Sequence, residues 1–242
     1  LFEANARARG ATVLWAQDPA EINRLVVEIA FRHGVRKIVK SKSMVSEESA
    51  LDLAIEGAGL EVVETDLGEY ILQINGYEPP SHIVGPALHK SKEEVTELFH
   101  RRHGTPRKEG IEELCREARA VLREHYLTAD MGISGGNFFV AETGSVLLVT
   151  NEGNASLATT LPKVHVAISG IEKIVPSLAD AGLLLRVLAR SATGQEMSAY
   201  TTFSTGPRRP GDLDGPDEFH VVLLDNGRSK LLGTEFEEML RC

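Results

Sequence analysis

The sequence predicts an α/β fold, a mainly parallel central sheet with flanking helices. Three observations carry that expectation. Short β-branched runs alternate with capped amphipathic helices through the first 63 residues, the pattern of βαβ units. Three more apolar runs, 138–141, 146–150 and 164–168, crowd into residues 130–176 between loops rich in Gly, Asn, Ser and Thr. Two charged helices at about residues 91–127 read as a helical insertion over the sheet. With no internal repeat and no low-complexity linker, residues 1–242 read as a single domain.

Residues 12–16 (TVLWA) make a first strand or a helix-to-strand turn. Asp18-Pro19-Ala20-Glu21 then opens a helix, with Asp as the cap, Pro at the first helical position and Glu three residues after the cap. Ile22, Leu25, Val26, Ile29 and Ala30 follow at helical spacing up to Gly34. Residues 37–40 (KIVK) are a short strand. Ser46 is expected to cap the next helix, which runs to Gly57 and Gly59, and another strand begins at 60–63. Residues 66–74 (DLGEYILQI) fit a strand or a short helix, and Pro79-Pro80 stops them. A strand is expected at 82–84. Ser91 with Glu94 forms a capping box for a helix to about His103, and the longest helix spans about 109–127. Ser177 caps a helix at 178–189. Strands follow at 200–203 and 219–224, separated by a Gly/Pro-rich loop at 204–217, and a last helix is expected at 234–240.

Lys plus Arg number 26 against 35 Asp plus Glu, a net charge of −9. That balance argues against nucleic acid or an anionic membrane as a partner, since both need a basic face. No apolar run approaches the roughly 20 residues that span a bilayer. Two cysteines, Cys115 and Cys242, make no disulfide framework, which fits a reducing, cytoplasmic setting. Cys115 falls within a helical pattern and reads as a packed thiol.

Loops at strand ends are where chemistry concentrates. Glu142-Thr143-Gly144-Ser145 and Asn151-Glu152-Gly153-Asn154 place two carboxylates on such loops. Glu142 and Glu152 are candidates for nucleophile, base or metal ligand, and equally for caps on exposed amides. Lys40-Ser41-Lys42-Ser43 lies between a strand and a helix, where lysines and hydroxyls suit a carboxylate or phosphate, or else form a solvated basic loop. Gly135-Gly136 allows close backbone approach, but GISGG is not the dinucleotide fingerprint. His100 and His103 lack a ligand partner at metal spacing and read as a surface pair. His165 faces opposite to Val164 and Val166, toward a cleft or the core. Arg208 and Arg209 hold a carboxylate or form surface ion pairs. There is no CxxC, HExxH or Walker loop.

Five stretches carry a resemblance: SKSMVSEE (41–48), DLGEYILQ (66–73), GISGGNFFVAETGSVLLVTNEGN (132–154), HVAISGIEKIVP (165–176) and GPRRPGDLDGPDEFHVVLLDNGR (206–228). In this order the chain resembles the LutB-type lactate-utilisation iron–sulfur proteins, in their N-terminal LUD domain. The resemblance implies a fold similar to the sugar-phosphate isomerase, 5-formyltetrahydrofolate cyclo-ligase and CoA-transferase group. It implies a subunit of a three-component system oxidising L-lactate to pyruvate, with the other subunits as partners and a small carboxylate or phosphate as ligand. It also implies that a ferredoxin-like segment follows, with Cys242 as its first cluster ligand and two [4Fe–4S] clusters in the longer protein. A cluster of that type takes four thiolates, so none is expected in this chain, which reads as truncated before that segment. The alternative is a stand-alone acyl- or CoA-transfer or isomerase-like enzyme using Glu142 or Glu152.

Overall fold

The computed structural model describes residues 1–241. Its elements, in chain order, begin α1 (Phe2–Ala8), β1 (Thr12–Ala16), α2 (Pro19–Arg32), β2 (Lys37–Lys40), α3 (Met44–Glu48), α4 (Leu51–Gly57), β3 (Glu61–Glu64) and α5 (Leu67–Ile74). They continue with α6 (Lys92–His103), α7 (Ile111–Thr128), β4 (Met131–Ser134), β5 (Phe138–Val140), β6 (Ser145–Thr150) and α8 (Asn154–Thr160). The chain closes with β7 (Val164–Gly170), β8 (Ile174–Val175), α9 (Leu178–Thr193), β9 (Tyr200–Ser204), β10 (Glu218–Leu224) and short 3-10 turns.

The central sheet has six strands in the order β1-β10-β7-β4-β2-β3, every neighbouring pair parallel. Parallel strands buried on both faces need near-continuous apolar runs, and β7 (VHVAISG) is buried at every position. On one face, Ile38, Ile133, Val166 and Val222 pack against Ile22, Val26 and Ile29 of α2 and against Leu51 and Ile55 of α4. On the other, Val39 and Val63 meet α5, α6 and α7 through Tyr70, Phe99, Leu114 and Leu122. The charged insertion is thus a helical cover for the β2–β3 half of the sheet.

A second sheet, β8-β5-β6-β9, was not read from the sequence. β5 and β6 form an antiparallel hairpin, β8 runs parallel to β5, and β9 antiparallel to β6. Its inner face places Phe139 and Val146 on Phe2, Val13, Phe219 and Val221. Its outer face places Val140 and Leu147 against Val175 and Ala181 near the start of α9.

Local chemistry explains the other differences. Residues 66–74 are helical because the Asp66 side chain accepts from the amides of Gly68 and Glu69. Ser43, not Ser46, caps α3, and α4 begins anew after Ala50 at φ +51°. Residues 82–84 are no strand: the amides of Val84 and Gly85 donate to His82 Nδ1 and bend the chain. The closing helix is a 3-10 segment, Glu237–Arg241. Cys115 is exposed on α7 rather than packed. His103 is tied at 2.9 Å to the Tyr70 hydroxyl and at 2.8 Å to Glu117, so it is interior, not a surface group. In the 204–217 loop Arg208 pairs with Asp217 at 2.6 Å and Arg209 lies 3.9 Å from Asp212, the surface ion pairs of the blander reading.

Candidate functional site

β2 and β4 are adjacent, yet β2 leads outward to β3 and β4 leads back toward β7. Loops leaving the carboxyl ends of two such strands diverge and open a crevice, the usual ligand position in open α/β sheets. Here those loops are Ser41-Lys42-Ser43 and Gly135-Gly136. They touch: a Cβ on Gly135 would lie 3.2 Å from the Lys42 carbonyl oxygen. The Ser41 amide donates to the Ile133 carbonyl at 2.9 Å, extending the β2–β4 ladder into the loop. Lys42 is half-buried, its ammonium donating to the Val84 carbonyl at 2.9 Å and lying 3.6 Å from Asp66.

Lys40, last in β2, is 2% exposed. It stands in register with Glu64, last in β3, and the two form a buried ion pair. The same ammonium donates to Ser46 Oγ at 3.0 Å and lies 3.6 Å from Asp52. Burial opposes its charge, but Glu64 and Asp52 outweigh burial and hold it above the ordinary lysine range. Glu69 completes the group. Burial first, and Glu47 next, push its carboxyl up to about 7 against the pull of Lys40 and Lys42. These groups border a cavity of ≈ 400 Å³ beside Tyr77, Pro79 and Pro80. Carboxylates outnumber the single lysine along it. The cavity therefore suits groups that donate hydrogen bonds, while the Lys42 ammonium, held by the Val84 carbonyl and Asp66, lies on the other side.

α8 packs on β4 and descends into the start of β7, so its Gly153-Asn154 end lies toward the same sheet edge as Gly135 and Gly136. The structure thus brings together Lys40, Ser41, Lys42, Ser43, Gly135 and Gly136, with Gly153 and Asn154 toward the same sheet edge. The Asn151 side chain is engaged elsewhere, accepting from the Ala199 amide and donating to Gln195 Oε1.

Glu142 and Glu152 do not converge. They flank the six-residue β6, whose ends are about 17 Å apart at the usual rise per residue. Glu142 Oε2 accepts from the Leu178 amide at 2.9 Å, capping α9. Glu152 accepts from the Thr150 hydroxyl at 3.0 Å within its own exposed turn. Gly144, at φ +69°, is pressed against the backbone of Asn5 and Ala6. Beside it, Ser145 bonds the Thr205 hydroxyl at 2.6 Å, and Thr143 Oγ1 is buried without a partner among the described residues. His165 is in the core, 2.8 Å from the Ser134 hydroxyl and stacked on Phe219; burial, then His220, pulls its pKa to about 3. Cys242 lies outside the described residues.

Asp52, Glu64 and Glu69 were missed by sequence reasoning. One signal was available: KIVK and EVVE end in opposite charges at equivalent places in two adjacent short strands.

The fold defines a doubly wound α/β protein with a crevice at the switch point between β2 and β4. Residues 1–224 match the model of the LUD domain, and the chain belongs to the LUD-domain family. It is 54% identical, over 98% of its length, to lactate utilization protein B of Geobacillus thermodenitrificans, and 51% identical to that of Bacillus subtilis. It spans 50% of the length of each of these relatives. A crystal structure of a DUF162 family protein from Deinococcus radiodurans shares the fold, with a TM-score of 0.51 at 14% identity over 92% of this chain and 93% of that one. Among the described residues no helix is long and apolar enough to cross a membrane. The sequence holds two cysteines where a [4Fe–4S] cluster takes four thiolates, so these residues alone do not fit that cofactor.

Proposed function

We propose that this chain is the LUD half of a lactate-utilisation protein B, a subunit of a system that oxidises L-lactate to pyruvate. Its part is to hold a small 2-hydroxy acid in the β2/β4 crevice. The observation that carries this reading is the nearness of the touching β2 and β4 loops to a carboxylate-lined cavity that shares Lys40 with them. Lys42, the hydroxyls of Ser41 and Ser43, and the amides at Gly135-Gly136 suit a carboxylate. The Lys40–Glu64–Glu69 side suits an adjacent hydroxyl, which donates to a carboxylate. Electron transfer, in this proposal, uses clusters built from cysteines beyond those of this sequence.

The test is a thermal-shift and calorimetric titration with L-lactate, pyruvate and inorganic phosphate. L-lactate at about 100 times its dissociation constant should stabilise the chain by about 2.7 kcal/mol. Lys42→Ala should abolish that shift. Glu142→Ala should lower stability by about 1 kcal/mol through loss of the α9 cap, with the ligand shift intact. A chain that responds to none of the three ligands, or a Lys42→Ala variant that responds fully, sinks the proposal.

A second reading, docking of partner subunits, is favoured by the outer face of α9. Leu183 and Val187, one turn apart, are exposed at 63% and 55%, with Leu184 beside them. A double change, Leu183→Glu with Val187→Glu, is expected to prevent co-purification of the partner subunits without lowering Tm. Undiminished co-purification would remove α9 from that role.

A further inference from the structure

At the amino-terminal edge of the central sheet, opposite the crevice, three donor side chains meet. His220 and Glu218 are two residues apart on β10 and so share its α2-facing side. His33 lies immediately after the last turn of α2. The two imidazoles approach edge to face with centroids 5.4 Å apart. One ligand atom from each of His33, Glu218 and His220 lies within 4.8 Å of the others.

The second observation is what these rings lack. His220 is 2% exposed, and neither of its ring nitrogens has a hydrogen-bond partner among the described residues. His33 Nε2 is likewise buried and unpaired. An unsatisfied buried polar group loses its bonds to water without replacement, so a fold seldom leaves several together without a use for them. His165, the neighbouring buried histidine on β7, shows the contrast: it bonds to Ser134.

The geometry points to a divalent transition-metal site formed by His33, Glu218 and His220. Two imidazoles and one carboxylate are donors for zinc and its neighbours in the first transition series; magnesium and calcium prefer all-oxygen sets. Glu218 is exposed, which gives the ion an entry path and leaves its fourth position toward solvent. Drawing the ligand atoms in around an ion needs a small closure of α2 on β10. The bound ion pins the end of that helix to the strand. Nothing in this site depends on the ligand of the crevice.

The test uses the untagged chain, dialysed against a chelator, and titrated with Co2+ and separately with Zn2+. One equivalent of Co2+ should give visible d–d bands without a sulfur-to-cobalt charge-transfer band, and Zn2+ should raise Tm. Glu218→Gln and His33→Ala, which change residues that are not fully buried, should each weaken binding by more than roughly ten-fold, the loss that even outer-shell changes produce. His220→Ala should abolish binding, with circular dichroism confirming the fold. His89→Ala, at the separate His89–Glu78 pair, should leave affinity unchanged. Absence of stoichiometric binding, or binding unaltered in both Glu218→Gln and His33→Ala, overturns the assignment. A thiolate band would place the metal on Cys115 or Cys242 instead and overturn it equally.

Discussion

Replacing Lys40 by methionine is expected to destabilise the chain by about 3–5 kcal/mol, the usual result of removing one partner from a buried ion pair. Methionine fills much the same volume, so the loss is electrostatic rather than a cavity effect. It leaves Glu64, Asp52 and Glu69 around one space with only the pull of Lys42 on Glu69 remaining. A double variant, Lys40→Met with Glu64→Leu, should recover much of the loss, because an apolar pair carries no desolvation penalty. Urea unfolding of the two single variants and the double variant measures the coupling directly.

The pH dependence has a definite sign. A carboxyl whose folded pKa is raised stabilises the fold below its unfolded pKa, and that contribution is lost as pH rises through the folded value. Glu69 rises from 4.5 to about 7, so the unsubstituted chain should lose some stability between those pH values. In Lys40→Met, Glu64 and Glu69, both already raised by burial, lose the cation that pulls them down and are raised further. Its deficit should shrink toward pH 4.5 and widen above neutrality. A deficit that stays constant with pH would mean that the lysine acts by packing alone.

That lysine also marks where sequence reading stopped. Lys40, Lys42 and their serines were legible as a candidate site because charged and hydroxyl residues follow a short strand. Their acidic neighbours were not, since Asp52 sits inside a helical pattern and Glu69 in a stretch that fits strand or helix, where carboxylates are ordinary solvent-facing residues. What buries them is the return of α4 and α5 across the ends of β2 and β3. The parallel sheet was readable because β2, β3, β7 and β10 are short β-branched runs, the first two alternating with helices. The second sheet was not, because β8 is two residues long and its pairing with β5 spans a separation no local pattern encodes. α1 and α8 escaped for a related reason. Both are seven residues with no side-chain cap bond, held by tertiary packing rather than by a local start signal. Glu142 looked like a site residue for the reason that it is a cap: a carboxylate on a tight turn serves any nearby amide, and here the amide belongs to α9.

Gly132→Ala is expected to be the most damaging single methyl group in the chain's glycines near the crevice. A Cβ there would lie 1.7 Å from the Ala158 carbonyl oxygen and 2.9 Å from its carbon, with Pro162 at 3.3 Å. These obstacles are the backbone of α8 and a ring, not the end of a flexible side chain. β4 cannot yield, because it is hydrogen-bonded to β2 on one side and β7 on the other. α8 must therefore move outward, pulling the fully buried Ala158 off the sheet and displacing the Gly153-Asn154 end from its place beside the crevice. Overpacking costs 1–3 kcal/mol when side chains can shift, so about 3 kcal/mol or more is expected where backbone must. Two glycines give the scale. Gly182, within α9 and with nothing near its virtual Cβ, should gain about 0.5–1 kcal/mol on change to alanine. Gly135→Ala meets only the Lys42 carbonyl at 3.2 Å and the nearby Ser43 side chain, so it should cost little stability. It should nonetheless weaken any ligand held between the two loops, because the added methyl group parts them. Comparable Tm values for Gly132→Ala and Gly182→Ala would show that α8 is not seated against β4 as described. The arrangement of the crevice would then need to be drawn again.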